Sequence, residues 1–429
     1  MMRALRPESF EVRRDELRQL VRRSREVVLL AAMTGVVTGL LVRGFEYVVE
    51  EVYHRVLEAP LWLAAISPAI GLVVAAIVLR LGGGMSPSTS DEYLRAFHDP
   101  EYRLRPRYLG ARIGAAIATL GSGGALGLEG PSLYGGSALG SMIQRRLPAP
   151  FRGSDHRTLL VAGAAAGVAA IFKAPATGAI FALEVPYRDD MARRMLLPAL
   201  VASASGYLTF VTLSSTTPLL SVGSSIPPFE LIDLLGALVV GATCAIGARA
   251  FAKLMRIAKG FSLRALPLRL VLSSATLVGL FFLSRELTGL PLSLGTGYEV
   301  FRQFLFIEQP GLSVWLLIAV FMIRCLASAA TTAGSGVGGV FVPLVVGGGI
   351  VGRAVAEVLH AQRASLYTLL GIAAFLGAGY RVPLAAVMFV AETTGSPNFV
   401  VPALFAAVAA ELVMGDQSIT AFQRRPGTD

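Results

Sequence analysis

A lone carboxylate, Glu129, stands at the centre of a glycine-rich stretch that runs from Gly121 to Gly140 inside a strongly apolar chain. Gly130 and Pro131 follow it at once. Proline suits the first turn of a helix, where its missing N–H would be unpaired anyway, so a helix is expected to begin near Pro131 with Glu129 just ahead of it. A helix N-terminus offers free N–H groups and partial positive charge, which together attract anions. A carboxylate placed there can cap the helix. It can equally hold the position against a dissolved anion and leave it when protonated. Two more carboxylates, Glu184 and Glu392, are embedded in apolar runs, and ionisable groups at membrane depth usually serve a function.

Catalytic and metal chemistry find little support. The four histidines, His54, His98, His156 and His360, lie at segment edges without metal-ligand spacing. No serine–histidine or paired-aspartate arrangement stands out, so an intramembrane enzyme is a minor alternative, and neither a cofactor nor a metal is expected. Cys244 and Cys325 both fall in apolar runs and read as small core residues.

Composition sets the solvent. Of 429 residues, 54% are hydrophobic and only 15% charged, against about 25% charged in a soluble domain. The chain reads as a polytopic protein embedded in the lipid bilayer. Its net charge of +10 comes from arginines at segment ends and near the N-terminus, with no folded basic domain, so nucleic acid is not an expected partner. Residues 1–26 carry charges of both signs and read as a cytoplasmic amphipathic helix held by its arginines, which places the N-terminus inside the cell; the expected location is the inner (plasma) membrane.

Many apolar segments, such as 130–145, 158–172, 175–186 and 382–393, are shorter than the ~20 residues a membrane-crossing helix needs. Short segments interrupted by glycine and proline mark broken helices that meet near the midplane. The expected fold is therefore all-α, with many short and re-entrant helices. It is also duplicated. Gly121-Ser-Gly-Gly leads to Pro131 and Gly135-Gly136, as Gly334-Ser-Gly leads to Pro343 and Gly347-Gly348. Lys173-Ala-Pro175 precedes Glu184 as Arg381-Val-Pro383 precedes Glu392, with the same proline-to-glutamate spacing of nine. These features divide the chain into a first membrane repeat at 27–211, a serine-, threonine- and proline-rich linker at 212–230, a second, inverted repeat at 231–420 and a short tail at 421–429.

Three stretches carry a specific resemblance. Gly-Leu-Glu-Gly-Pro at 127–131 resembles the Gly-x-Glu-Gly-Pro signature of the CLC chloride channel and chloride/proton antiporter family. Gly338-Gly-Val-Phe-Val-Pro343 resembles that family's Gly-Gly-Ile-Phe-x-Pro segment, and Gly163 to Glu184 resembles the segment after the first signature. Order and spacing agree over roughly residues 30–420. The resemblance implies a homodimer whose subunits each hold an anion pathway. Chloride would sit at converging helix N-termini, held by backbone N–H groups at Gly130, Gly339, Val340 and Phe341, with Glu129 as the gate. Uncharged donors of this kind bind an anion well enough to select it and weakly enough to release it.

Three departures shape the functional expectation. The family's serine-bearing loop is replaced by Gly82-Gly-Gly-Met-Ser-Pro-Ser-Thr-Ser-Asp91, where counting back from Glu129 points to Ser88 as the anion-binding hydroxyl, with Ser86, Thr89 and Ser90 in competition. The family's inner proton-accepting glutamate, next after Glu184, is here Val185, and Glu184 itself reads as a structural hydrogen-bonder between helices or a substitute proton relay. The inner-gate tyrosine near the C-terminus is replaced by Ile419 or Thr420, with Tyr134 and Tyr380 too far along the motifs to stand in. The expected function is chloride transport gated by Glu129, channel-like or loosely coupled to protons. The alternative is a chloride/proton antiporter with another inner proton route. A fluoride-selective relative, hinted at by Met85, ranks below both.

Overall fold

The computed structural model describes residues 8–148, 155–217, 219–220, 229–305, 311–395 and 398–425; side chains of residues 8–24, 303 and 304 are not among those described. Residues 1–7, much of the linker expected at 212–230, and residues 426–429 of the expected tail lie outside this set. The helices in chain order are α1 (Glu8–Glu58), α2 (Leu61–Leu81), α3 (Ser90–His98), α4 (Pro106–Gly121), α5 (Glu129–Arg146), α6 (Arg157–Phe172), α7 (Pro175–Glu184), α8 (Leu196–Thr212), α9 (Leu231–Phe261), α10 (Leu266–Thr288), the single turn α11 (Tyr298–Val300), α12 (Val314–Ala333), α13 (Phe341–Val358), α14 (Ala364–Tyr380), α15 (Pro383–Thr394) and α16 (Val400–Met414). Seven stretches among the described residues are long and apolar enough to cross a bilayer, while α6, α14, α15 and α16 are shorter apolar helices. The fold is all-α and multi-pass.

Several boundaries differ from the sequence expectation for identifiable reasons. From Glu8 onward the amphipathic segment does not stop before the first span: α1 runs unbroken into it, because no glycine or proline separates Arg25 from Met33. Helix α5 begins at Glu129 rather than at Pro131, so the glutamate is part of the first turn. Helix α3 is amphipathic and only 9 residues long. It follows directly from the loop at 86–89, and Ser90 opens the helix.

The two halves pack alike. Helices α5 and α6 approach so closely that a Cβ on Gly136 would lie 2.0 Å from the Gly163 carbonyl oxygen, and a Cβ on Gly163 would lie 1.9 Å from the Gly136 carbonyl oxygen. In the other half α13 and α14 cross in the same way, with Gly348 against the Gly371 carbonyl at 2.4 Å and Gly371 against the Gly348 carbonyl at 2.2 Å. In lipid, such close backbone approach replaces the hydrophobic force that drives helices together in water.

The shared proline-to-glutamate spacing has a structural meaning. Helices α7 and α15 each begin at a proline, after a left-handed residue, Lys173 (φ 54°) or Arg381 (φ 58°), that ends the preceding helix. The Glu392 carboxylate accepts the Ala176 N–H at 2.8 Å, the Thr177 N–H at 2.7 Å and the Thr177 hydroxyl at 2.6 Å, all at the start of α7. Glu184 accepts the Leu384 N–H at 3.2 Å and the Ala385 N–H at 3.0 Å, at the start of α15. Each helix therefore supplies, from its far end, the acid that satisfies the orphan N–H groups of the other.

Two measurements test this packing. Gly163→Val, with its branched Cβ driven into the Gly136 carbonyl, is expected to cost about 1–3 kcal/mol through overpacking, read as a lower melting temperature in detergent. Gly44→Ala, which meets nothing within 4 Å, serves as the neutral control. Glu392→Ala leaves the α7 N–H groups without their acceptor and is expected to destabilise by about 1.5–3 kcal/mol in the same assay, as losing a hydrogen-bonded charge does. A melting temperature unchanged by Glu392→Ala would show that the cap contributes nothing.

Candidate functional site

The first turns of α5 and α13 are brought to one point by the backbone itself. Gly127 N–H donates to the Gly339 carbonyl at 2.8 Å, and Gly339 N–H donates to the Gly127 carbonyl at 2.7 Å. This two-bond bridge joins the two glycine-rich motifs immediately ahead of the helices they open. A Cβ on Gly339 would lie 2.6 Å from the Gly130 backbone nitrogen, so glycine is required there; a Cβ on Gly127 would lie 1.8 Å from Glu129 Oε2 and would push the carboxylate aside. Gly130 is held equally tightly, 2.8 Å from Gly339 by the same measure.

Glu129 is 3% exposed, and its Oε1 accepts the Phe341 N–H at 2.7 Å. A glutamate from the first half is thus bound by the helix N-terminus of the second. Its other oxygen, Oε2, is buried without a donor at hydrogen-bond distance among the described residues. Phe341 is fully buried, with the Phe172 ring centroid at 4.4 Å, Phe389 at 5.0 Å, Phe181 at 5.3 Å and Tyr380 at 6.3 Å. These rings fix the start of α13 and keep its N–H groups in a dry setting, where an electrostatic contact is stronger than in water.

A cavity of about 230 Å³ leads toward this point, lined by Thr89, Ser90, Val340, Tyr380, Ile419 and Thr420 among others. The loop 86–89 that forms one wall is tied down by Arg112 on α4. Its Nε donates to the Ser86 carbonyl at 3.2 Å, its Nη1 donates to the Tyr134 hydroxyl at 2.7 Å, and its Nη2 pairs with Glu92 at 2.9 Å. Tyr134, set aside in the sequence, therefore belongs to this brace.

The candidate hydroxyls separate. Ser88 Oγ donates to Asp91 Oδ2 at 2.8 Å. Thr89 is 2% exposed, and its hydroxyl lies 2.5 Å from where a Cβ on Gly130 would be. Ser90 stands beside the Tyr380 hydroxyl, which also faces the Val340 N–H. Tyr380 is the site residue that motif counting passed over. Its sequence signal is the repeat: it precedes Arg381-Val-Pro383 as Phe172 precedes Lys173-Ala-Pro175, and both rings pack on Phe341.

Val185 is buried at the end of α7, and Gln423 Nε2 donates to its carbonyl at 3.1 Å and to that of Tyr380 at 2.7 Å. Ile419 is 5% exposed, with its N–H on the Gly379 carbonyl at 3.0 Å, and lines the cavity beside Thr420. Next to Glu184 lies a graded set of charges. Arg381 pairs with Glu411 at 2.9 Å and with the largely exposed Asp189 at 2.5 Å, and Glu411 is near enough to Glu184 to act on it electrostatically. No group of three or more His, Cys, Asp or Glu side chains among the described residues is arranged to hold a metal ion.

Comparisons with known proteins identify the family and the fold. Residues 70–415 match the family model described as voltage gated chloride channel. A relative from Vibrio vulnificus named H(+)/Cl(-) exchange transporter ClcA is 27% identical over 415 residues, covering 90% of this chain and 85% of the relative. Among solved structures, a CLC-type fluoride/proton antiporter superposes with a TM-score of 0.81 at 22% identity, covering 93% of this chain and 98% of the other. A slow cyanobacterial Cl-/H+ antiporter superposes with a TM-score of 0.74 at 20% identity, covering 91% and 94%. At such identities the two solved structures speak for the fold alone. The family match spans most of the chain, and with it the anion-transport class replaces the enzyme alternative: this protein belongs to the voltage gated chloride channel family, the CLC proteins.

Proposed function

We propose that this protein exchanges chloride for protons, with Glu129 as the group that both ions use. The observation that carries the reading is the Phe341 N–H donated to Glu129 Oε1 at 2.7 Å, at the convergence of two helix N-termini. A carboxylate held by an uncharged donor occupies the place a halide would take. Protonation removes its charge and with it the claim on the N–H groups, so a proton entering and an anion binding become linked events. Gly130, Gly339, Val340 and Phe341 are the backbone positions we assign to the anion, with Tyr380 and Ser90 as hydroxyl neighbours and Ile419 as an apolar wall.

Exchange is preferred here to the channel-like expectation that Val185 suggests, because the ClcA relative that spans most of this chain carries an exchanger's name. Val185 cannot hold a proton, so the inner route is assigned elsewhere. Asp189, Glu411 and Glu184 form a series of carboxylates from surface to interior, organised by Arg381. We assign proton uptake to that series, ending at Glu184. The repeat boundaries at 27–211 and 231–420, the homodimer, an inner-membrane location and a cytoplasmic N-terminus belong to the same proposal.

In chloride-loaded vesicles, an outward chloride gradient is expected to drive protons inward against their own gradient. Glu129→Gln is expected to keep chloride flux and abolish both proton movement and pH dependence, because glutamine is a permanently neutral copy of the protonated gate. In the native protein flux should rise as pH falls, since protonation releases the carboxylate from the Phe341 N–H. Glu184→Gln should slow proton uptake more than chloride flux. An unchanged pH profile in Glu129→Gln would refute the gating role, and full proton pumping in Glu184→Gln would refute the inner route.

A further inference from the structure

We propose that the protein binds the headgroup of an anionic phospholipid in a cavity at the end of α3, where Arg157, Arg193 and Arg194 take the phosphate and Asp155 and Asp190 take the headgroup hydroxyls. The cavity has a volume of about 430 Å³ and shares no lining residue with the one that leads toward Glu129. Its walls come from the start of α6, the segment after α7 and the short turn Arg193–Met195 ahead of α8. Phe97 and Tyr187 form an aromatic floor, with ring centroids 5.6 Å apart. The Arg157 guanidinium lies over the Phe97 ring at 5.2 Å, and its Nε donates to Asp155 Oδ1 at 3.0 Å. A guanidinium stacked and braced in this way is pre-organised for a phosphate.

The charges do not balance within the cavity. Three arginines and two aspartates line it. Arg157 pairs with Asp155. Arg193 is held loosely, with Nη2 3.5 Å from Asp190 Oδ1, and its side chain is 82% exposed. Arg194 is exposed and makes no hydrogen bond or ion pair among the described residues. One positive charge is left over, on two adjacent arginines that a ligand can reach. A single phosphodiester charge neutralises it, and arginine offers phosphate two parallel N–H donors. A zwitterionic headgroup would leave the excess in place.

The position of the arginines makes the ligand a lipid rather than a dissolved anion. The apolar span Arg193–Thr212 begins with them, which sets them at headgroup depth. Leu196 and Leu197 follow at once, 44% and 49% exposed, and offer an apolar path to the acyl chains. Basic pockets between membrane helices recognise anionic headgroups with this combination of charge and depth. Helices α1 and α2 are consecutive spans, so the chain returns after α2 to the side of the membrane on which α1 begins, and α3 with Phe97 follows there. The cavity opens to the lipid leaflet on that side.

The test uses full-length protein in a neutral detergent and reads the melting temperature during titration with phosphatidylglycerol, or with phosphatidylcholine or phosphatidylethanolamine of the same acyl chains. Phosphatidylglycerol is expected to raise the melting temperature saturably, because a ligand of the folded state stabilises it, and the two zwitterionic lipids should do less. Arg193→Gln combined with Arg194→Gln is expected to raise the half-saturating phosphatidylglycerol by about fivefold for each arginine removed, the scale of one basic side chain near an anionic surface. Arg80→Gln removes the same charge from the exposed end of α2, on the same side of the membrane but outside the cavity, and should leave half-saturation unchanged. If the double variant does not elute as a single folded species, Arg194→Gln alone carries the test, since its side chain contributes no contact to the fold among the described residues. Equal stabilisation by the zwitterionic lipids overturns the proposal, as does an unchanged half-saturation in Arg194→Gln or an equal loss in Arg80→Gln. A full effect from inorganic phosphate at the same concentrations would overturn the lipid as the ligand. None of these readings depends on transport, so the lipid site stands or falls separately from chloride exchange.

Discussion

The proposed anion site depends on the antiparallel pair of hydrogen bonds between Gly127 and Gly339. Two helix N-termini repel, since both carry partial positive charge. They can be held together only by something that satisfies backbone groups at the same time. The bridge does this with two N–H···O bonds, and a side chain at Gly339 would strike the Gly130 backbone. The helices it joins then have a shared positive focus that must be filled, and Glu129 fills it.

A buried carboxylate is costly unless its charge is met. The chain meets Glu129 with dipoles and keeps its ions elsewhere. Arg112 pairs with Glu92, Arg381 with Asp189 and Glu411, and Lys259 with Asp91. A full positive charge beside Glu129 would fix the carboxylate, or a halide, too firmly for release. Neutral donors in a dry aromatic surround give attraction that is real but reversible.

Much of this was legible in the sequence. The motif at 127–131 located the central glutamate, and the equal spacing of Pro175–Glu184 and Pro383–Glu392 announced a duplication whose structural content is the pair of exchanged caps. What stayed hidden depends on long-range pairing. Asp91 and Lys259 are distant in sequence and carry no motif, so nothing local marks them as neighbours. Tyr380 sits in an apolar run and looks like core; its hydroxyl acquires a role only because α14 ends beside the start of α13. Ser88 was the position reached by counting, yet the turn into α3 gives its hydroxyl to Asp91 and turns Thr89 and Ser90 toward the interior.

The exchanged caps also bear on how such a chain can come into being. A single half, expressed alone, would carry one helix with bare N–H groups at its start and one glutamate with nothing to bind. Two identical halves inserted in opposite orientations would cure both defects at once, because the start of α7 and the end of α15 meet head to tail. The same contact would then serve between separate copies in dual topology as well as within one fused polypeptide. Fusion would add covalent proximity to such a pairing and would leave each half free to carry different side chains, as Phe172 and Tyr380 stand at corresponding places ahead of Pro175 and Pro383.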